Sequence, residues 1–435
     1  MGRAQVAVGR PAPRAKPALP TVAVIGLGYV GLPTGLALAH AGFGVVGIDI
    51  QERRLQDIRA GHVDVIPADR LRLSEALENP SLRLTTDAVA MADADAILIC
   101  VPTPVDRERQ PDLGPLHAAC ASVVTHAHAG QTVILASTSH VGATWELLVK
   151  PLASRGLVAG ANVHVVFSPE RIDPGNTRHP QHAVPRILGG ATPACAEAAL
   201  PFLSEIAERV VVVSSAEAAE LVKLYENTFR AVNIALANEI ADVALAHGLD
   251  TIEIIEAART KPYGFMPFYP GAGAGGHCIP CDPHYLLEPL DRLGTRAPLV
   301  SEAMRVLHDK PRRVIQRAVE VLARDGACVS GCRVLVVGVA YKPGIADLRE
   351  SPGLEILNGL RLLGAQVDYH DPYVSTLAVD AEVSMLSVPE PDPAAYDLVV
   401  VTVLHPDWDL SWMGQCRRVL DCTYRLAHDH LADPV

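Results

Sequence analysis

The chain has 435 residues, enough for two or three domains and a large buried core. Hydrophobic residues make up 49% and charged residues 20%, and the formal net charge of −12 argues against a general binder of nucleic acid or anionic membrane, though a local basic pocket could still hold a phosphate. No apolar run reaches membrane length and no signal-peptide pattern is present. The nine scattered cysteines suit reduced thiols better than a disulfide framework, so a cytoplasmic protein is expected.

Residues 1–20, rich in Arg, Lys, Pro and Ala, read as a disordered tail. From Val22 short β-rich runs alternate with helical stretches: VAVIG, VVGID, AILICV, VILAST, VHVVFS and RILGG. These runs are almost continuously apolar, as strands buried on both faces are, and the helical stretches between them imply βαβ units and a parallel sheet up to about Val213. Ser214 and Glu217 form a possible capping box before a helical pattern that ends near Gly248 and spans on the order of 50 Å. A helix of that length joins domains or builds a subunit interface. Asp250 and Glu253 predict a second capped helix, and further helix starts near Leu299. A second α/β pattern begins at Arg333, with RVLVVGVA, QVDYHDPY, LVVVTV and RRVLDCT as strands. The expected architecture is α/β: two Rossmann-like parallel-sheet domains joined by a central helical region with a long helix. Its divisions fall at 21–213, 214–310 and 311–435.

Gly26, Gly28 and Gly31 give G-L-G-Y-V-G directly after VAVI, a helix follows, and Asp49 ends the next strand about twenty residues on. One glycine makes the turn, one lets a pyrophosphate reach the backbone, and one permits close helix packing. Helix N-terminal amides hold phosphates. Asp49 can accept from ribose hydroxyls and disfavours a 2′-phosphate, which points to NAD rather than NADP.

Lys223 and Asn227 share one face of the long helix, where they could stabilise an oxyanion and orient a water; a solvated helix face is the plainer reading. Residues 271–282, GAGAGGHCIPCD, place Cys278 at the end of a glycine-dense loop, where a thiol can attack a bound carbonyl carbon. A buried inert cysteine, a zinc site from His277, Cys278, Cys281 and His284, and a Cys278–Cys281 redox pair are the alternatives. Pro280 and Pro283 stiffen the segment, and Asp282 could polarise a water. Thr103, Thr138 and Glu170 all follow strands, where open α/β sheets build their sites; structural loop chemistry is the competing reading.

These segments together resemble the nucleotide-sugar dehydrogenases, the UDP-glucose and UDP-N-acetylhexosamine 6-dehydrogenase family. GLGYVGLP, CVPTP, AST, SPERIDPGN, ELVKLYENTFR, GAGAGGHCIPCDP and VGVAYKPGIADLRESP follow in that order from about Val22 to Arg425. The forms YPGAGAGGHCIP and SPERIDPGN are most similar to the UDP-N-acetylglucosamine 6-dehydrogenase branch. The resemblance implies a four-electron oxidation of a sugar C6 hydroxyl by two NAD in turn, through a thiohemiacetal and a thioester on Cys278. It implies oxyanion roles for Lys223 and Asn227, water handling by Asp282 and Thr138, and acid–base support from Glu170. Gly26, Gly28, Tyr29, Val30, Gly31, Asp49, Thr103 and Thr138 would bind NAD. Glu170, Arg171, Lys223, Asn227, Tyr269, Gly275, Lys342 and Arg349 would bind the UDP-sugar, without a metal, in a homodimer formed through the long helix.

Three positions depart from the pattern. Val141 stands where the family often has proline, and Cys281 where it usually has no thiol. Only Gly338 survives of a fingerprint in the second α/β segment, so that segment is not expected to bind a dinucleotide in the usual way. A two-electron hydroxyacid dehydrogenase shares the Rossmann domain, long helix and lysine but needs neither the cysteine loop nor a third domain. A non-catalytic NAD- or zinc-responsive protein is the further alternative. The spacing does not fix the sugar.

Overall fold

The computed structural model describes residues 20–63, 65, 67–78, 81–106, 108–171, 180–290, 292–324, 326–379, 384–406, 408–426 and 432–434. The expected N-terminal tail, apart from Pro20, and the Ile172–Gly175 end of SPERIDPG lie outside the described residues. The chain forms two compact units. One runs to Tyr225 and includes His284–Pro289; the other takes Glu226–Pro283 and the chain from Leu290 onward.

The first unit holds strands β1 (Thr21–Ile25), β2 (Gly44–Ile48), β3 (Leu82–Thr85), β4 (Ala96–Ile99), β5 (Thr132–Leu135), β6 (His164–Phe167), β7 (Arg186–Gly190) and β8 (Val210–Val213) in one sheet of order 3-2-1-4-5-6-7-8. All pairs are parallel except β6–β7, which departs from the expected all-parallel sheet. Alternate residues of each strand feed the two faces. Val22, Val24, Leu98, Ile134 and Val166 pack with Leu32 and Leu36 of helix α1 (Gly31–His40). Ala23, Ile25, Ile97, Ile99, Val133 and Leu135 pack on the opposite face. Helices α2 (Glu52–Arg59), α3 (Pro67–Glu78), α4 (Gly114–His126), α5 (Lys150–Ser154) and α6 (Pro193–Ser204) complete the crossovers. The Thr192 hydroxyl caps α6 by accepting from Cys195 N–H, ahead of Pro193.

Helix α7 (Ala216–Ala246) crosses from one unit to the other, roughly 46 Å of helix at 1.5 Å per residue. Its cap is Ser215, whose hydroxyl accepts from Ala218 N–H, one residue later than the expected Ser214–Glu217 box. Asp250 caps α8 (Thr251–Arg259) as expected, accepting from the amides of Ile252 and Glu253. Helices α9 (Asp282–Leu287) and α10 (Pro298–Ala323) follow.

The second unit's main sheet is all-parallel, in the order β10 (Gln366–His370), β9 (Arg333–Val337), β13 (Leu398–Val401), β14 (Val419–Asp421) and β15 (Ala432–Pro434). Strands β11 (Thr376–Ala378) and β12 (Ser384–Leu386) pair antiparallel beside it. Val334, Val336, Leu398 and Val400 pack against Val314 and Ala318 of α10 and Ile356 and Leu360 of α11 (Pro352–Leu362). Among the described residues no helix is long and apolar enough to cross a membrane.

Candidate active site

Gly26 adopts φ +86°, and a Cβ there would sit 2.7 Å from the carbonyl oxygen of Cys100. A Cβ on Gly31 would lie 1.8 Å from Gly26 O, so only glycine lets α1 start against β1. Around Gly28 nothing lies within 4 Å of a Cβ position, which leaves open backbone for a pyrophosphate. Tyr29 is exposed, and Val30 immediately precedes α1. Asp49 sits just past β2, its carboxylate accepting from Leu27 N–H and Gln51 N–H at 2.9 Å each. That fixes the acid at the strand end while leaving it partly exposed, as a ribose contact requires. Arg54 of α2 donates to Leu27 O in that turn at 2.9 Å and was not legible from spacing. The residues thus fit NAD.

Thr103 and Thr138 lie on the loops after β4 and β5 and are half-buried. Ser137 beside Thr138 ties these loops together by donating to Val101 O at 2.8 Å. Tyr285 does the same from α9, donating to Pro104 O at 2.9 Å. Glu220, fully buried one helical turn before Lys223, accepts from Gly142 N–H at 2.6 Å and from the Thr144 amide and hydroxyl at 2.8 and 2.6 Å. Burial holds its carboxyl above the ordinary range against these donors. Glu220 therefore clamps the loop that carries Thr138 to the helix that carries Lys223.

Glu170 is buried and engaged. Its carboxylate accepts from Arg186 at 2.6 Å, from Arg171 N–H at 2.8 Å, and from Thr34 and Gln181 at 3.3 Å each. Lys223 Nζ donates to the main-chain oxygen of Glu170 at 3.0 Å, so the lysine meets the backbone of this residue. Arg171 donates to Pro185 O at 2.7 Å. Arg186 as the partner of Glu170 depends on tertiary pairing and left no sequence signal.

In the second unit Asn227 Nδ2 donates to Asp282 Oδ2 at 2.5 Å. Asp282 is 2% exposed, and its amide donates to Cys278 O at 2.8 Å, with Cys281 N–H joining at 3.3 Å. One helical turn therefore carries the thiol, its buried neighbour Cys281 and the carboxylate. Cys278 is partly exposed, and no described cysteine is in a disulfide. Gly276 takes φ +82° and donates to Arg349 O at 2.9 Å, and a Cβ there would strike the Tyr341 ring at 2.7 Å. Among the described residues no three His, Cys, Asp or Glu side chains cluster as a metal site would require.

A cavity of about 180 Å³ lies at the carboxyl ends of β9, β13 and β14, lined by Tyr269, Gly273, Lys342, Thr402, Thr423 and Arg425 among others. It brings together two of the expected nucleotide contacts, Tyr269 and Lys342. Gly275 packs beside its wall, where a Cβ would meet Tyr341 at 2.6 Å and Pro352 at 3.0 Å. Arg349 instead forks onto Asp347, with contacts of 3.0, 3.0 and 2.5 Å. Tyr269 donates its hydroxyl to Glu256 at 2.5 Å, which pushes the tyrosine pKa up.

The chain matches the UDP-glucose/GDP-mannose dehydrogenase family in three parts: its NAD binding domain over residues 20–209, its central domain over 217–307 and its UDP binding domain over 335–424. It is 34% identical over 417 residues to a UDP-N-acetyl-D-glucosamine 6-dehydrogenase of Pseudomonas aeruginosa, covering 94% of this chain and 97% of the relative. A UDP-N-acetyl-D-mannosamine dehydrogenase of Salmonella typhi is 36% identical over 352 residues, 78% of this chain and 82% of the relative. The solved UDP-D-ManNAc dehydrogenase of Pyrococcus horikoshii superposes with a TM-score of 0.83 at 32% identity, covering 93% of this chain and 95% of that one. With the fingerprint geometry of the first unit, the cysteine turn and the strand-end cavity of the second, the chain belongs to the UDP-glucose/GDP-mannose dehydrogenase family: it is a NAD-dependent nucleotide-sugar dehydrogenase.

Proposed function

We propose that the chain oxidises the C6 hydroxyl of a UDP-N-acetylhexosamine to the uronic acid, with Cys278 carrying the half-oxidised sugar. The supporting observation is the single turn that ties Asp282 to both Cys278 and Asn227. A thiol and a carboxylate on one turn, with a hydrogen-bond donor from α7 on that carboxylate, are what capture and hydrolysis of an acyl group need. The N-acetyl preference draws on the two relatives named above; UDP-glucose is the alternative.

Bound NAD supplies the hydride acceptor, one molecule for each of the two oxidations. On the protein side, Lys223 and Asn227, one turn apart on α7, stabilise the oxygen as negative charge develops on it. Cys278 adds its S–H across the C6 aldehyde to give a thiohemiacetal; loss of the C6 hydride to the second NAD and of the hydroxyl proton to solvent would leave a thioester on the sulfur. Asp282, with Thr138, takes a proton from the water that cleaves the thioester, returning the thiol and releasing the acid. Glu170 supports these steps by holding Lys223 through its carbonyl. Gly26, Gly28, Tyr29, Val30, Gly31, Asp49 and Thr103 bind NAD. Tyr269, Gly275, Lys342 and Arg349, with Arg171, serve the UDP-sugar.

On this reading residues 21–213 bind NAD, 214–310 form the central region and 311–435 bind UDP. The exposed apolar residues of α7 support a homodimer. A panel of UDP-sugars followed by NADH formation tests the proposal. Two NADH per uronic acid are expected with an N-acetylhexosamine, and Cys278→Ala should yield no acid. Acid formation unchanged in that variant would overturn it.

A further inference from the structure

The two sheets repeat one local design. Gly26 N–H donates to Ile48 O at 2.8 Å, and Gly338 N–H donates to His370 O at 2.9 Å. Both glycines have positive φ, +86° and +81°. The next residue after each partner strand is an aspartate, Asp49 and Asp371, and each accepts the amide that follows the glycine: Leu27 at 2.9 Å, Val339 at 2.8 Å. Here the likeness stops. Asp371 is 1% exposed and also accepts from Ala340, Tyr373 and Val374 amides and from His405 Nε2 at 3.2 Å. Five donors saturate it, so no ribose hydroxyl can reach it.

The imidazole that closes this position faces the cavity loop on its other side. Gly344 N–H donates to His405 Nδ1 at 3.0 Å. That contact makes Nδ1 the acceptor and leaves the ring proton on Nε2, pointed at Asp371. The ring stacks on Tyr373 at 4.5 Å and meets the edge of Trp408 at 5.4 Å, and its side chain is fully buried. Gly344 ends the turn Tyr341–Gly344, whose Lys342 and Pro343 line the cavity, while Val403 and Leu404, just before His405, line it too.

We propose that His405 is a positioning residue for the nucleotide-sugar: oriented by Asp371, it anchors the Tyr341–Gly344 turn and so sets Lys342 against a nucleoside diphosphate in this cavity. The inference rests on the UDP-site reading above. An acid that serves ribose in one unit becomes, in the other, the support of a phosphate-binding loop.

The test is UDP binding by calorimetry to the full-length protein, wild type, His405→Asn and His405→Gln. Both variants lose the ring. Asparagine keeps an acceptor where Nδ1 stood, and glutamine keeps only the group facing Asp371. The glutamine variant should bind UDP about tenfold more weakly, the loss of one well-placed contact, and the asparagine variant within about threefold of wild type. NAD affinity should be unchanged in both, which a general loss of structure would not allow. Equal UDP affinity in all three proteins overturns the role of His405 alone. Wild-type protein that takes up no UDP overturns the site reading beneath it. Should both variants fail to fold, the ¹⁵N resonance of His405 Nδ1 in wild type must move on saturation with UDP; an unmoved resonance overturns the proposal.

Discussion

Asp282 shows how much a single side chain can carry. It is almost fully buried, its carboxylate receives Asn227, and its amide is fixed by the carbonyl of Cys278. On the proposed mechanism Asp282→Asn keeps the shape and removes the base. Turnover should fall about 10²–10⁴-fold, the usual worth of a positioned general base. The melting temperature should change little, and single-turnover quenching should show sugar held on the enzyme. Unchanged release of acid would place the base elsewhere. Asn227→Ala should differ: it strips a buried carboxylate of a donor, costing about 1–3 kcal/mol of stability, measurable by urea denaturation. The sequence marks both Asp282 and Asn227 as candidates, one from the cysteine loop and one from helix spacing. It does not mark their direct contact, because they lie 55 residues apart and periodicity does not report tertiary pairing. The same reason hid Arg186 behind Glu170 and His405 behind Asp371.

At the scale of elements, the buried strands were legible because they are apolar on both faces, from Val22 to Val213 and from Arg333 onward. The short edge strand β3, LRLT, has half-buried and exposed residues and no apolar run to announce it. Strand direction leaves no trace in period-two patterning, so the antiparallel β6–β7 pair was invisible. Helix α7 is capped by Ser215, next to the expected Ser214. The start of α1 allows a sharper test. Gly28→Ala meets open space, so its melting temperature should stay near wild type while NAD affinity drops about tenfold or more. Gly31→Ala drives a Cβ into Gly26 O and should destabilise the whole unit. Equal melting temperatures for the two variants would contradict that packing.

A second element-scale test uses acid. Burial tends to raise the Asp347 pKa, but the Arg349 guanidinium and amide outweigh it and hold the carboxyl below its ordinary 3.8. A folded-state pKa below the unfolded one contributes stability that is complete above 3.8 and fades as the pH falls through the lower folded value. Asp347→Asn lacks this dependence. The stability difference between wild type and variant, followed by circular dichroism, should be constant near neutrality and shrink below pH 3.8. A gap that widens in acid would reverse the sign and refute the assignment.

For the molecule as a whole, α7 poses the question of association. Leu221, Tyr225, Phe229, Leu236, Ile240 and Val243 are all exposed along this one helix, Tyr225 at 66%. Their separations of three, four and seven residues keep them near one stripe, the pattern by which a helix meets a partner helix. A chain with net charge −12 gains nothing from an uncovered apolar stripe of this length, and such stripes mark contact surfaces. A second copy of the chain offers the same stripe to itself across a two-fold axis. Leu236→Arg combined with Val243→Arg places two like charges on that stripe, and in a two-fold contact each copy would face the other's. Sedimentation velocity should show wild type at twice the chain mass and the double variant at the chain mass, with NAD affinity retained because neither position belongs to the fingerprint. A wild-type monomer, or a double variant that still sediments as a dimer, would remove α7 as the interface.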